Sequence, residues 1–450
     1  MLVRLTIANF LSFRQPVEFT MLATRERRHE GRLFFHESTG TRVVPIAALF
    51  GENASGKSNF YRAINFIRKL VLRPAQGPEE QVLAEPFRLD DGLSASVPSE
   101  FVIEILPKDI VYRLKISLRS GGVAEEVLDE IRGERVIPVY SRRSSGRDGV
   151  MQWNVEPLQR RCASLQDREF IGFKTRDTLP NQLFLGALRG KNIPVVDEIA
   201  LWFTEQLALM LPTSTFKLLE FSLPTSGGLL EFCNEALRAA NTGIFEIYPQ
   251  SVEWQDFPAS DELKEEIKKK LGERQITFVL WPDGRRFSIM RRGGILHVAR
   301  LLTHHKTQSG RLERFELGNE SEGTQRFIDL LPAFFELVSP GRAKVFVIDE
   351  LDRSLHSLLA RHLIKSYLGA LSPNTRSQLI FTTHDVTLLD QEIMRRDEIW
   401  FVEKNELGSS ALQPLSRVEG LRYDKDIRKA YLAGEFGGIP RFNRSIFRAS

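Results

Sequence analysis

The sequence predicts an α/β fold in which buried strands end in functional loops, with a large insertion between two halves of one unit. Three observations predict it. The apolar run Val43–Phe50 (VVPIAALF) leads into Gly51–Ser58 (GENASGKS), and a helix-like segment, Phe60–Leu72, follows. A second apolar run, Lys344–Glu350 (KVFVIDE), ends in two carboxylates, as a buried parallel strand does when it opens into a site. About 290 residues separate Lys57 from Asp349, far more than one or two strand–helix units need.

Gly51–Ser58 reads G-x-x-x-x-G-K-S, the spacing of a phosphate-binding loop. Gly51 and Gly56 let the backbone bend and approach a ligand closely. The amides of Glu52, Asn53, Ala54, Ser55 and Asn59, with the helix start, suit anionic oxygen. Lys57 adds a point charge, and Ser58 offers a hydroxyl to Mg²⁺. ATP and Mg²⁺ are therefore the expected ligands.

The remaining elements follow in chain order. Met1–Phe10 (MLVRLTIANF) alternates like a strand and does not read as a signal peptide. Phe101–Leu106 and Ile110–Leu118 alternate as strands of a hairpin, and 120–122 and 144–149 are turn-rich. Val195–Met210, Gly228–Ala240 and Asp261–Gly272 read as helices, with Trp202 and Phe203 as core packing. Ile276–Val279 and Arg286–Met290 read as returning strands. No heptad pattern persists, so a coiled-coil arm is not expected.

Further along, Glu320–Arg326 (ESEGTQR) opens an apolar-periodic helix, Phe327–Val338. Ser321 and Gly323 at that start, with Gln325, form a second anion-binding end. Since the chain already carries one phosphate loop, the economical reading is that this end meets the γ-phosphate held by another protomer. At the acidic strand, Asp349 is expected to hold Mg²⁺ and Glu350 to orient or deprotonate a water. Gln378–Thr383 (QLIFTT) reads as another core strand, and His384 just beyond it is placed for the γ-phosphate or its water. Asp397–Glu403 reads as the last core strand, and Tyr431–Pro440 (YLAGEFGGIP) as a tail docked on the core.

Composition narrows the class. The chain has 450 residues, enough for two or three domains. Its two cysteines, Cys162 and Cys233, imply no disulfide framework and fit a cytoplasmic location. No apolar run reaches the roughly 18 residues of a membrane span. Net charge is only +4, but Arg25–His29, Lys268–Lys270, Arg285–Arg286 and Arg291–Arg292 form basic runs. These are either solvated faces or parts of a nucleic-acid surface.

The order GxxxxGKS, S-x-G-x-Q, apolar-DE, His resembles the ATP-binding-cassette heads of the SMC/RecF/OLD class. Ile7–Phe13 (IANFLSF) resembles the opening strand and loop of that class. SEGTQR, VFVIDELDRSLH, TTHD, RRDEIWFVEK and YLAGEFGGIP resemble the standalone ATPases of phage-defence operons, RloA-type proteins and the AriA subunit of PARIS systems among them. The resemblance covers mainly residues 1–75 and 315–445. Glu322 and Thr324 stand where a transporter signature has small residues, which argues against a transporter. Gln182 is the candidate for the glutamine switch loop.

The resemblance implies a P-loop head of ABC type, a mixed sheet with helices on both faces, plus an inserted, mainly helical lobe. The expected divisions are 1–190 for the N-terminal lobe, 191–275 for the insertion and 276–450 for the C-terminal lobe. It also implies ATP hydrolysis to ADP and phosphate in a sandwich dimer or higher oligomer. The expected role is a sensor or regulator of a separate nuclease or toxin effector in antiviral defence, triggered by nucleic acid or a phage protein. Two rivals stand beside it: a RecF-like repair ATPase that binds DNA directly, and a low-turnover scaffold held together by ATP. A TOPRIM nuclease, carried by the OLD relatives, is not expected, because about 66 residues follow His384 and such a domain needs on the order of 100.

Overall fold

A computed structural model of the chain describes every residue except 76, 78, 81–83, 121, 146–149, 215, 217–218, 274, 423–424 and 439–450. The turns expected at 120–122 and 144–149 and the end of the 431–440 tail fall partly outside the described residues. Two compact units result. One takes in Met1–Leu211, Pro340–Leu351 and Lys365 onward; the other comprises Pro212–Ser339 and Asp352–Ile364.

The first unit is organised by a six-stranded sheet. Its order is Leu207–Met210, Val345–Ile348, Gln378–Thr383, Ile46–Phe50, Ile399–Lys404 and Ser410–Pro414. The first five strands are parallel and the last pairs antiparallel. Every residue of Ile46–Phe50, Val345–Ile348 and Gln378–Thr383 is buried. That burial on both faces explains why these segments read as unbroken apolar runs rather than alternating ones.

Leu207–Met210 differs from its expected form. The helix that begins at Pro194 stops at Leu201, a π turn covers Trp202–Gln206, and Leu207–Met210 emerges as an edge strand beside Val345–Ile348. Leu-Ala-Leu-Met suits a helix by local preference, but pairing with the acidic strand overrides it. Trp202 and Phe203 are fully buried, in the core as expected.

A seven-stranded antiparallel sheet lies in the same unit. Its order is Val150–Asn154, Arg135–Ser145, Gly122–Arg132, Val111–Arg119, Ser99–Ile105, Leu2–Ala8 and Val17–Thr20. The expected hairpin is its Ser99–Ile105 and Val111–Arg119 pair. Between the sheets runs the helix Lys57–Leu72, whose Phe60, Ile64, Ile67 and Val71 recur at three- and four-residue spacing and share one core with Leu5, Phe101, Ile116, Leu49 and Val347.

The second unit combines helices Leu229–Ala239, Asp261–Lys270 and Glu322–Val338 with a five-stranded sheet. Ile276–Leu280, Arg286–Arg292 and Ile295–Lys306 form its meander, and Ile244–Val252 and Leu312–Glu316 pair with Ile295–Lys306. Phe257, Ile267, Phe287, Ile289 and Val298 form a small core there. Within 191–275, the helices Pro194–Leu201, Leu229–Ala239 and Asp261–Lys270 outweigh the strands Leu207–Met210 and Ile244–Val252, so that stretch is mainly helical. Among the described residues, no helix is long and apolar enough to cross a membrane. Cys162 and Cys233 are both buried and unbridged.

Candidate functional site

The loop Gly51–Gly56 leaves the buried strand Ile46–Phe50 and enters the helix that starts at Lys57. Both glycines are required by their surroundings. A Cβ on Gly51 would run into Val402 O and stand 2.7 Å from Ser55 Oγ. Gly56 has φ +115°, and its Cβ would run into Ser410 Oγ and stand 2.8 Å from Ser12 Oγ. Ala54 also takes a left-handed conformation, φ +64°. Asn53 and Ala54 are exposed, whereas Ser55, Gly56 and Lys57 are buried.

Lys57 Nζ donates to Gly51 O at 2.6 Å and Glu52 O at 2.8 Å. It therefore stands inside the arc of the loop. Ser55 Oγ is buried with no hydrogen-bond partner among the described residues. A curled loop with a Cβ-free approach, an enclosed ammonium and an orphaned hydroxyl has the donor set a polyphosphate needs, so the residues present fit ATP.

The loop is braced by residues that the motif does not contain. Asn59 Nδ2 donates to Ser12 Oγ at 2.8 Å, Ser410 N donates to Ser12 O at 2.7 Å, and Ser410 Oγ donates to Ser55 O at 2.5 Å. Ser12 belongs to the segment Asn9–Phe13. Asn9 anchors that segment by donating to Ser94 O and Val97 O and accepting from Phe87 N. The tail docks close by: Tyr431 stacks on Phe401 at 5.3 Å between ring centres and donates to Gly438 O, and a Cβ on Gly438 would lie 3.5 Å from Gly51 Cα. Burial, followed by the charge of Glu52, pushes the Tyr431 hydroxyl up to about 12.

Asp349 and Glu350 close the Val345–Ile348 strand, two strands away from the phosphate loop in the same sheet. Asp349 is buried, and its Oδ1 accepts a 2.7 Å hydrogen bond from Thr382 Oγ1. Glu350 has φ +49°, an unusual conformation for a residue with a side chain. Its Oε1 stands 3.6 Å from His384 Nε2. Burial first, and the negative charge of Asp349 second, push the Tyr61 hydroxyl up to about 12. Tyr61 lies on the helix that begins at Lys57, so the charge of Asp349 is felt on the phosphate-loop helix. Ser58, the other residue expected at Mg²⁺, is half-buried in the first turn of that helix. A hydroxyl and a carboxylate are the hard oxygen donors that Mg²⁺ takes.

Ser321, Gly323 and Gln325 belong to the second unit. Ser321 caps the helix Glu322–Val338 by accepting from Thr324 N at 3.1 Å. Gly323 is needed because a Cβ there would lie 2.5 Å from Ser354 O. Ser321, Gly323 and Thr324 line a pocket of about 580 Å³ with Ser354, His356 and His362. Gln325 turns back instead, donating to Glu320 O at 2.8 Å. Gln182 sits in a turn, its Oε1 accepting from Leu179 N and its carbonyl from Arg142.

A family model described as "AAA domain, putative AbiEii toxin, Type IV TA system" matches residues 46–390. No curated protein matches. Among solved structures, the chain is similar to an SMC head domain from Thermotoga maritima, at 12% identity and a TM-score of 0.38, covering 92% of this chain and 98% of that one. It is also similar to an SMC head bound to the C-terminal winged-helix domain of ScpA, at 14% identity and a TM-score of 0.40, covering 92% and 97%. The family match spans well over half of the sequence and takes in the phosphate loop, the acidic strand and His384. The chain belongs to this AAA-domain family of P-loop ATPases.

Proposed function

We propose that the chain hydrolyses ATP to ADP and phosphate and uses its nucleotide state to control a separate effector in antiviral defence. One observation carries the chemical part: Glu350 Oε1 stands 3.6 Å from His384 Nε2 at the ends of two adjacent strands of the sheet that also carries the phosphate loop. Lys57 and the loop amides bind the phosphates. Ser58 and Asp349 hold Mg²⁺, which when bound neutralises charge on the phosphate oxygens. Glu350 accepts a proton from the attacking water, and His384 steadies that water or the γ-phosphate. Ser321 and Gly323 of a second copy, at the start of a 17-residue helix, complete each site, so the working unit is a pair of chains or a larger ring.

The defence role is supported by the family description, which names a toxin and a toxin–antitoxin system, and by the motifs shared with standalone defence ATPases. The test is phosphate release by the purified chain with ATP and Mg²⁺. Turnover abolished by chelation is the expected result. Release no faster than the uncatalysed background overturns the proposal.

A further inference from the structure

Thr382 is the penultimate residue of Gln378–Thr383, and its side chain is almost fully buried at 2% exposure. A threonine inside an apolar parallel strand must satisfy its hydroxyl, and here both capacities are used. Oγ1 donates to Asp349 Oδ1 at 2.7 Å and accepts from Glu350 N at 2.7 Å. The same residue's carbonyl accepts from Leu351 N at 3.1 Å. Three successive residues, Asp349, Glu350 and Leu351, are therefore fastened to one neighbour on the next strand.

The register makes this possible. Ile348 pairs with Phe381, so Thr382 lies beside the point where the acidic strand ends. The chain must turn there, and Glu350 takes its left-handed conformation in doing so. A non-glycine residue held at positive φ needs surroundings that over-determine it. The Glu350 N to Thr382 Oγ1 bond supplies that restraint one bond away from the Cα that carries the side chain facing His384. The Thr382 Oγ1 to Asp349 Oδ1 bond commits one carboxylate oxygen and fixes the plane of the group.

We infer that Thr382 is a positioning residue for the reaction, orienting the Asp349 carboxylate toward metal and holding Glu350 in its working conformation through a single hydroxyl. The inference rests on the ATPase reading above. Buried and hydrogen-bonded to Asp349 and Glu350, Thr382 acts through these two neighbours.

The test compares Thr382→Val, which keeps shape and loses the hydroxyl, with Thr382→Ser, which keeps the hydroxyl. The measurements are kcat, the Mg²⁺ concentration giving half-maximal rate, and ATP affinity in the absence of Mg²⁺. Thr382→Val is expected to lower kcat about 10- to 100-fold and raise the Mg²⁺ requirement severalfold. Mg²⁺-free ATP affinity should stay within about threefold, because the phosphate loop is untouched, and Thr382→Ser should return kcat to within about threefold of wild type. A Val variant with wild-type kcat, or a Ser variant as slow as Val, contradicts the inference. If Val does not fold, Thr382→Ala takes its place in the same comparison. Wild-type protein is assayed alongside. If it lacks turnover, the ATPase reading fails and takes this inference with it; if it turns over and the Val variant matches it, only the role of Thr382 fails.

Discussion

Glu350 and His384 face each other across adjacent strand ends, Oε1 to Nε2 3.6 Å, although 33 residues of chain lie between them. The His384 and Glu350 side chains are 39% and 33% exposed, so solvent reaches the gap between them. Replacing His384 by Ala is expected to lower kcat about 10- to 100-fold with little change in ATP affinity, because in the proposed site Lys57 and the loop amides supply most of the phosphate contacts. Steady-state kinetics with a binding titration checks this. Weakened affinity with kcat unchanged would place His384 in ground-state binding instead.

Gly56 is boxed in by two serines. At φ +115°, with Ser12 Oγ 2.8 Å from the position of a Cβ, Gly56→Ala should cost about 1–3 kcal/mol and weaken ATP binding at least about tenfold. Gly31→Ala is the control. No atom lies within 4 Å of its Cβ position, so stability should move by less than about 0.5 kcal/mol. Urea unfolding of both variants reads the difference.

Asp329 gives a pH signature in the second unit. Burial pushes its carboxyl from the ordinary 3.8 up to about 6, opposed in part by Arg286. The folded state therefore favours the protonated acid. Its contribution to stability is complete below about pH 4 and is lost as pH rises through about 6, amounting to about 3 kcal/mol at most. Asp329→Asn should remove that slope. Unfolding at pH 4, 5 and 6 that gives parallel curves for both proteins would contradict it.

The two halves of the candidate site are legible in the sequence because each is local. GENASGKS and KVFVIDE carry their chemistry within a few consecutive residues, and a buried parallel strand announces itself as an apolar run. What braces them is not legible. Ser12, Ser410 and Thr382 look like ordinary polar residues in a sequence, since their partners lie far along the chain and only the folded sheets bring them together. Leu207–Met210 reads as helix because four apolar residues with good helix propensity carry no sign of the strand they will pair with. Ile244–Val252 and Ile295–Lys306 do not read as strands because their two faces are unevenly buried, which blurs the alternation.

Assembly has its own test. If Ser321 and Gly323 complete the site of a second chain, Ser321→Arg and Lys57→Ala should each be inactive alone. Mixed, they form pairs with one doubly broken site and one intact site, and part of the activity should return. Full activity of Ser321→Arg as a monomer, with no recovery at any mixing ratio, would contradict a shared site.

The most direct measurement is made on Glu350→Gln. The substitution keeps size and hydrogen bonding but cannot accept the proton of the attacking water. ATP affinity should remain within about threefold of wild type, while Mg²⁺-dependent phosphate release should fall about 100-fold or more. Phosphate release by Glu350→Gln at the wild-type rate would contradict the assignment of this carboxylate as the base and, with it, the account of how this site hydrolyses ATP.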